Sequence, residues 1–165
     1  MLENILEFDQ NLLLYLNNLG NTNWDAFWFT VTNKLTFIPL YIFLLYLMTN
    51  GQNRKAVFLI VFILAIMITF TDQVTNLFKD GFERLRPCAD KNISHLLRIG
   101  DCRGFGFFSG HSSNSMSAAV FTILFLRSRY RKIIYLMIPW TLFVGYSRIY
   151  IGKHFPLDVL CGWLF

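Results

Sequence analysis

The sequence predicts an all-α fold, a polytopic bundle of membrane helices, and three observations carry that reading. Of 165 residues, 55% are apolar, 18% are aromatic with eighteen Phe, and only 15% are charged, giving a mean hydropathy of +0.44. A soluble domain of this length leaves roughly a third of its unfolded-chain surface exposed, so much Phe, Leu and Ile would face solvent unless it met lipid. The apolar residues also fall into long runs, and the charges gather in the connectors between them. This composition excludes disordered, collagen-like and disulfide-rich secreted chains. An isoelectric point of 9.3 would suit nucleic acid, but Lys and Arg flanking apolar runs point to a bilayer partner and to no nucleic acid. Without internal repeats or flexible linkers, residues 1–165 read as one domain.

Residues 1–20 carry Leu2, Ile5, Leu6, Leu12, Leu13, Leu16 and Leu19 among Glu3, Glu7 and Asp9. That mixture is too polar to span and predicts a helix lying in the membrane interface. No basic n-region precedes it, so it does not read as a signal peptide. Trp24, Phe27, Trp28 and Phe29 form an aromatic lead-in to a charge-free stretch from Leu35 to Asn53. A second run covers Ala56 to Phe78 and encloses Asp72; a third covers Gly104 to Leu126, with His111 as its titratable side chain. The fourth spans Ile133 to Ser147, and the fifth runs from Phe155 to Phe165. Eleven helical residues extend only about 16 Å, so the expectation is that a C-terminal segment is missing.

Charge orients these runs. The connectors 50–55 and 127–132 are purely basic (Arg54, Lys55; Arg127, Arg129, Arg131, Lys132), which predicts a cytoplasmic position for both. The loop 79–103, with six basic and four acidic residues, and the segment 147–154 then face the other side. Cys88 and Cys102 share that loop, where oxidation is permitted, so a disulfide is expected between them, with two free buried thiols as the alternative. Cys161 lies in a run.

Nearly every residue able to do chemistry falls on the same non-cytoplasmic side. Lys79 is followed after six residues by Arg86-Pro87; Phe108-Ser109-Gly110-His111 opens the third run; and Ser147-Arg148 is followed after five residues by His154 and after three more by Asp158. Singly, these would be interfacial anchors or helix caps. Together they suit phosphoryl transfer. Lys79, Arg86 and Arg148 can hold phosphate oxygens and neutralise transition-state charge, and backbone N–H groups at Ser109-Gly110 can add an anion site at a helix start. His154 and Asp158, four apart, share a helix face if that stretch is helical; the carboxylate can fix the imidazole tautomer for nucleophilic attack. His111 is placed to protonate the leaving oxygen.

This pattern resembles the type 2 phosphatidic acid phosphatase superfamily of membrane lipid phosphatases. Lys79 to Pro87 and Ser147 to Asp158 match its first and third signature elements in full. The second matches at Ser109-Gly110-His111, with Phe108 in place of the leading Pro, which removes a rigid φ but no reactive group. The resemblance covers 79–158 and implies a six-helix fold whose sixth member is cut short here, with a non-cytoplasmic active-site loop over 79–110. It implies His154 as nucleophile through a phospho-histidine, Asp158 as its partner and His111 as acid. Lys79, Arg86, Ser109, Gly110 and Arg148 would bind the phosphate, with no metal and no cofactor. A lipid phosphate is the implied substrate and the bacterial plasma membrane the implied location. Undecaprenyl diphosphate is the first expectation, since a short chain leaves little extramembrane structure to recognise a head group. Phosphatidylglycerophosphate, phosphatidic acid and lipid A phosphates are the alternatives.

Two other classes stand beside it. Vanadium-dependent haloperoxidases share the signature but are soluble and longer, and a carrier would place its ionisable residues near the bilayer midplane rather than at span ends. Asp72 is expected to be a hydrogen-bonded structural acid, His95 a solvated loop residue, and Trp24, Trp28 and Trp140 interface or packing residues.

Overall fold

The computed structural model describes residues 1–98 and 102–165; residues 99–101, inside the loop expected to border the site, lie outside the described residues. Among the described residues there are seven α-helices and no strand beyond an isolated bridge between Leu85 and Phe105. They are α1 (Leu2–Asn18), α2 (Thr22–Thr32), α3 (Ile38–Thr49), α4 (Arg54–Phe82), α5 (Gly110–Leu126), α6 (Ile134–Tyr150) and α7 (Pro156–Leu164).

Local chemistry sets the helix ends. Asn21 and Asn53 open α2 and α4 by accepting the N–H of Asn23 and Ala56, and Ser109 caps α5 by accepting the N–H of Ser112. Such caps satisfy donors that a helix start leaves orphaned. Pro156 begins α7, where its missing N–H is no loss.

The helix α4 is the plainest membrane span. Its 29 residues reach about 43 Å at 1.5 Å per residue, more than the roughly 30 Å of a hydrocarbon core. Phe58, Leu59, Phe62, Phe70 and Leu77 are all exposed on it, as a lipid-facing surface requires. By length and apolarity the segment Arg131–Tyr150 also qualifies, and α2 with the segment Lys34–Thr49 qualifies as a pair bent by 66°, the shape of a broken span or a re-entrant loop. The apolar runs that predicted separate spans at 104–126 and 155–165 become shorter helices of 17 and 9 residues. The run from Gly104 loses its first six residues to a loop bridged to Leu85. Within α5 the stretch Gly-His-Ser-Ser-Asn-Ser is polar, and Ser112, Ser113 and Ser115 are buried against other helices.

The core centres on α5, which packs most extensively against α6 and α7. Glycine makes that approach possible at two places. A Cβ on Gly145 would stand 2.2 Å from Trp163, and one on Gly162 would stand 2.6 Å from the Ser109 carbonyl oxygen. One cluster (Met48, Ala119, Leu126, Met137, Trp140) fills the end near the basic connectors. A second (Leu13, Ile93, Ile149, Phe155, Val159) lies beneath the opposite end. The two basic connectors meet each other, since Arg129 donates to the Asn50 carbonyl.

The N-terminal helix is docked by polar residues, a departure from the expectation of a simple amphipathic arm. Asp9, Leu13 and Asn17, one helical turn apart, are its buried residues. Asn17 donates to the carbonyls of Ile149 and Tyr150 and accepts from the Arg98 backbone. Asp72 accepts a 2.7 Å hydrogen bond from Asn114 on α5, the polar partner expected of it. His95 is exposed; Trp28 packs among Phe27, Phe143, Tyr146 and Tyr150, and Trp140 against Phe37 and Tyr41.

The Gly162 contact yields a test. Gly162→Ala is expected to destabilise by about 1–3 kcal/mol, because the new methyl group meets rigid backbone rather than a yielding side chain. A lower thermal midpoint in detergent should report it; an unchanged midpoint would mean that α5 and α7 can separate freely.

Candidate active site

The antiparallel order of α4, α5, α6 and α7 returns the three motif elements to one end of the bundle. Lys79 sits in the last turn of α4, which ends when Glu83 takes a left-handed conformation with φ of 49°. Gly110 and His111 open α5, Arg148 lies in the last turn of α6, and His154 and Asp158 flank the start of α7. These elements touch. A side chain on Gly110 would meet Thr75 at 3.3 Å and the Lys79 ammonium at 3.8 Å, and one on Gly106 would meet Asp158 at 3.2 Å and Arg86 at 3.3 Å. Absence of a Cβ at both positions keeps space beside the cations for a ligand's oxygens.

Burial grades across the site. Ser109, Arg148, His154 and Asp158 are buried, whereas Lys79, Arg86, Gly110 and His111 are half-buried. The reactive groups therefore form a floor with an open cationic side. Arg86 is aimed by its Nε, which donates to the Phe105 carbonyl at 3.0 Å. Arg148 is held by Thr32 of α2, while its Nε has no partner among the described residues. Lys79, Arg86 and Arg148 lie close enough to repel one another. Three cations held together half-desolvated is an arrangement that an anion relieves.

Ser109 also ties two helices together. Its backbone N–H donates to the Asp158 carbonyl at 2.9 Å, and its hydroxyl accepts from Ser112. The N–H is used within the fold, whereas the hydroxyl, which only accepts there, keeps its own proton to donate; the N–H groups of Gly110 and His111 are further orphan donors at this helix start. Phe108, in the place of the signature's Pro, is buried between Phe78 of α4 and Phe165 at the end of α7. Aromatic packing stands where a rigid ring would.

The nucleophile candidate is fully enclosed. His154 Nδ1 is 3.6 Å from Asp158 Oδ2, beyond hydrogen-bond length, and Nδ1 has no closer partner among the described residues. Both carboxylate oxygens are already engaged: Oδ2 accepts the Phe155 N–H at 2.9 Å and Oδ1 accepts from Arg84 at 2.8 Å. Catalytic hydrogen bonds are commonly long without substrate and tighten when it binds. Burial, with smaller contributions from Arg148 and Arg86, pushes His154 down to about 4 against the pull of Asp158. At neutral pH its imidazole is uncharged, with a lone pair free to attack. Burial likewise lowers Arg86, partly offset by Asp158.

Two residues central to this geometry, Arg84 and Asp9, carry no mark in the signature. Arg84 lies among the six unspecified residues between Lys79 and Arg86. Asp9 was legible only as an acid at helical spacing with Leu13 and Asn17, on the face that turns out to be buried. The loop bearing Arg86 is tied down by the disulfide between Cys88 and Cys102 (Cα–Cα 5.3 Å) and by the Cys88 N–H, which donates to the Gly152 carbonyl two residues before His154. Among the described residues, no group of three or more His, Cys, Asp or Glu has metal-site geometry.

Cations, a nucleophile candidate and an acid candidate gathered at one end of a membrane bundle are what phosphoryl transfer calls for, and comparison with known proteins gives the class of the protein. The PAP2 superfamily profile matches residues 56–165, and the chain belongs to that superfamily. It is an integral membrane hydrolase of phosphate esters in a family of lipid phosphatases. It is 35% identical to the lipid A 4'-phosphatase of Bacteroides thetaiotaomicron, over 98% of this chain and 73% of that one. It is 32% identical to the lipid A 4'-phosphatase of Porphyromonas gingivalis, over 98% and 69%. Its fold matches the crystal structure of a PAP2-type phosphatidylglycerolphosphate phosphatase from Bacillus subtilis, with a TM-score of 0.74 at 20% identity over 96% of this chain and 79% of that one. Aquifex aeolicus LpxE matches with a TM-score of 0.66 at 25% identity, over 93% and 87%.

The pH dependence follows from His154. In the unfolded chain its imidazole takes up a proton below about 6.5, whereas the folded chain resists until about 4. Between those values the unfolded state binds more protons, so stability is full above about 6.5 and declines as pH falls towards 4. The acid limb of kcat/KM, which reports the free enzyme, should fall near pH 4 rather than 6.5. A limb centred at 6.5 would mean that the nucleophile is solvated.

Proposed function

We propose that this protein removes a phosphate monoester from the sugar head of a lipid A-type glycolipid through a phospho-histidine. The observation that carries this reading is the meeting of a neutral, buried His154 with Lys79, Arg86, Arg148 and His111 at one end of a lipid-facing bundle. Similarity to two lipid A 4'-phosphatases along 98% of the chain supports the substrate class. His154 attacks phosphorus, forming an N–P bond as the bond to the leaving oxygen breaks, and His111 delivers a proton to that oxygen. Water then attacks the phospho-histidine, giving its proton to His111 and releasing inorganic phosphate. The three cations and the Gly110 and His111 N–H groups stabilise the equatorial oxygens throughout.

The lipid A reading replaces the first expectation of undecaprenyl diphosphate, and the reason is physical. That expectation rested on a lack of extramembrane structure for head recognition. Among the described residues, the part of the loop after α4 that carries Arg86 is closed by the disulfide and anchored beside His154, and so offers structure that could meet a head group. Undecaprenyl diphosphate remains the second reading, supported by 37% identity over 49% of the chain to an undecaprenyl-diphosphatase of Sulfolobus acidocaldarius.

The experiment is phosphate release from lipid A, undecaprenyl diphosphate, phosphatidylglycerophosphate and phosphatidic acid in one detergent, ranked by kcat/KM. Lipid A is expected to lead by at least tenfold, about 1.4 kcal/mol of transition-state discrimination. A lead for the polyprenyl diphosphate would overturn the head-group argument. His154→Ala should lower kcat by about a thousandfold or more and His111→Ala by about a hundredfold or more, while Asp158→Asn keeps measurable turnover. Activity should survive EDTA; loss restored by Mg²⁺ would contradict charge stabilisation by Lys and Arg.

The reading also places the site on the non-cytoplasmic face of a bacterial plasma membrane, since the joined basic connectors lie at the other end of the bundle. With Cys161→Ser and the disulfide intact, Asn92→Cys should react with an impermeant thiol reagent in intact cells and Ser128→Cys should not. Labelling of Ser128→Cys alone would invert the orientation.

A further inference from the structure

Arg84 and Asp9 form a buried ionic cluster behind the proposed nucleophile. Arg84 reaches two carboxylates with one fork: Nη1 donates to Asp158 Oδ1 at 2.8 Å and Nη2 to Asp9 Oδ2 at 2.6 Å. Asp158 is 0% exposed and Asp9 1%. The second oxygen of Asp9 accepts the Leu157 N–H at 2.9 Å, and the Arg84 guanidinium lies 4.0 Å above the ring of Phe155. One Arg thus clamps the segment 154–158 through Asp158 and, by way of Asp9, through the Leu157 N–H. The cost of burying two carboxylates against one half-buried guanidinium argues against a merely structural purpose, because well-packed apolar residues would do as well or better.

The charge balance shows what the cluster can do. Two carboxylates and one guanidinium leave a single net negative charge next to His154. When Nε2 of a neutral imidazole bonds to phosphorus, the ring becomes a phosphoimidazolium cation whose Nδ1–H faces Asp158. The cluster compensates that cation as it forms. An Arg84–Asp158 pair alone would be neutral and would not. The other titratable groups facing His154 and Asp158 are Arg86 of the loop, Arg148 of α6, His111 of α5 and Cys161 of α7. Among these the cations work against a charged ring, which makes the negative charge behind it more valuable.

We infer that Asp9 and Arg84 are positioning residues for catalysis: Asp9, contributed by the N-terminal helix, fixes the Arg84 fork so that Arg84 holds Asp158 aimed at His154 Nδ1, and the three together keep a net negative charge beside the ring. This rests on His154 being the nucleophile.

The test is Asp9→Asn, which preserves shape and the acceptor for Leu157. In purified full-length protein, kcat should fall by about 10–100-fold, of the order of one positioned charge-assisted contact, with KM changed less than twofold. The acid limb of kcat/KM should move to lower pH, because losing a nearby negative charge disfavours the protonated imidazole. In an Asp158→Asn background, Asp9→Asn should cost little more, since both act through one carboxylate. Arg84→Lys, which keeps the charge but loses the fork, should give the same kcat-selective loss and supplies the reading if Asp9→Asn does not fold. A purely structural role predicts a lower thermal midpoint with wild-type kcat per folded molecule, an unmoved acid limb and multiplicative losses with Asp158→Asn; that result overturns the inference. Retained turnover in His154→Ala would instead sink the nucleophile reading, whatever Asp9→Asn does.

Discussion

The site depends on one backbone seam, where the Ser109 N–H donates to the Asp158 carbonyl at 2.9 Å and Gly162 lets α7 lie against the Ser109 carbonyl. Ser109 opens the helix that carries His111, and Asp158 lies in the first turn of the helix that follows His154. A single hydrogen bond therefore sets the acid candidate and the nucleophile candidate in one frame. A side chain at Gly162 would force these two helices apart, and one at Gly145 would part α6 from α7, so close packing and the candidate chemistry are joined through α7.

Around that seam the membrane imposes a division of labour. The long helix α4 turns Phe and Leu to lipid and needs few buried residues, because lipid is as apolar as a protein core. Shorter helices α5 and α7 are sheltered by their neighbours, and so can carry Ser, Asn, His and Asp where a lone span could not. Several polar side chains pair across helices: Asn114 with Asp72, Asn17 with the end of α6, Thr32 with Arg148. The polar residues thus hold the bundle together where hydrophobic burial alone discriminates poorly between helix faces.

The electrostatics divide in two around His154. One set is Lys79, Arg86 and Arg148, mutually repelling and suited to a phosphate; the other is Asp158, Arg84 and Asp9, hydrogen-bonded to one another and net negative. Burial keeps the imidazole between them neutral. This polarity, positive towards the ligand and negative behind the nucleophile, is what a phosphoryl group moving onto an imidazole requires.

Much of this was legible in the sequence. Apolar run lengths, basic connectors and three spaced motifs announced a helical membrane phosphatase, because lipid demands apolar length and phosphate demands cations, both local properties of a chain. Cys88 and Cys102 share one loop, and Asp72 stood out as an acid inside an apolar run, so a bond and a polar partner were readable for them. Tertiary structure decided what depends on distant residues meeting. Asp9, 149 positions before Asp158, reads as an ordinary interfacial acid until α1 docks on α7, and Arg84 has no distinguishing neighbour until its fork bridges both carboxylates. That the Ser109 N–H holds the Asp158 carbonyl, and that the start of the run at 104–126 is a loop bridged to Leu85, likewise needed the folded chain to be seen. Hydropathy reports how oily a segment is; only contacts determine whether lipid or protein surrounds it.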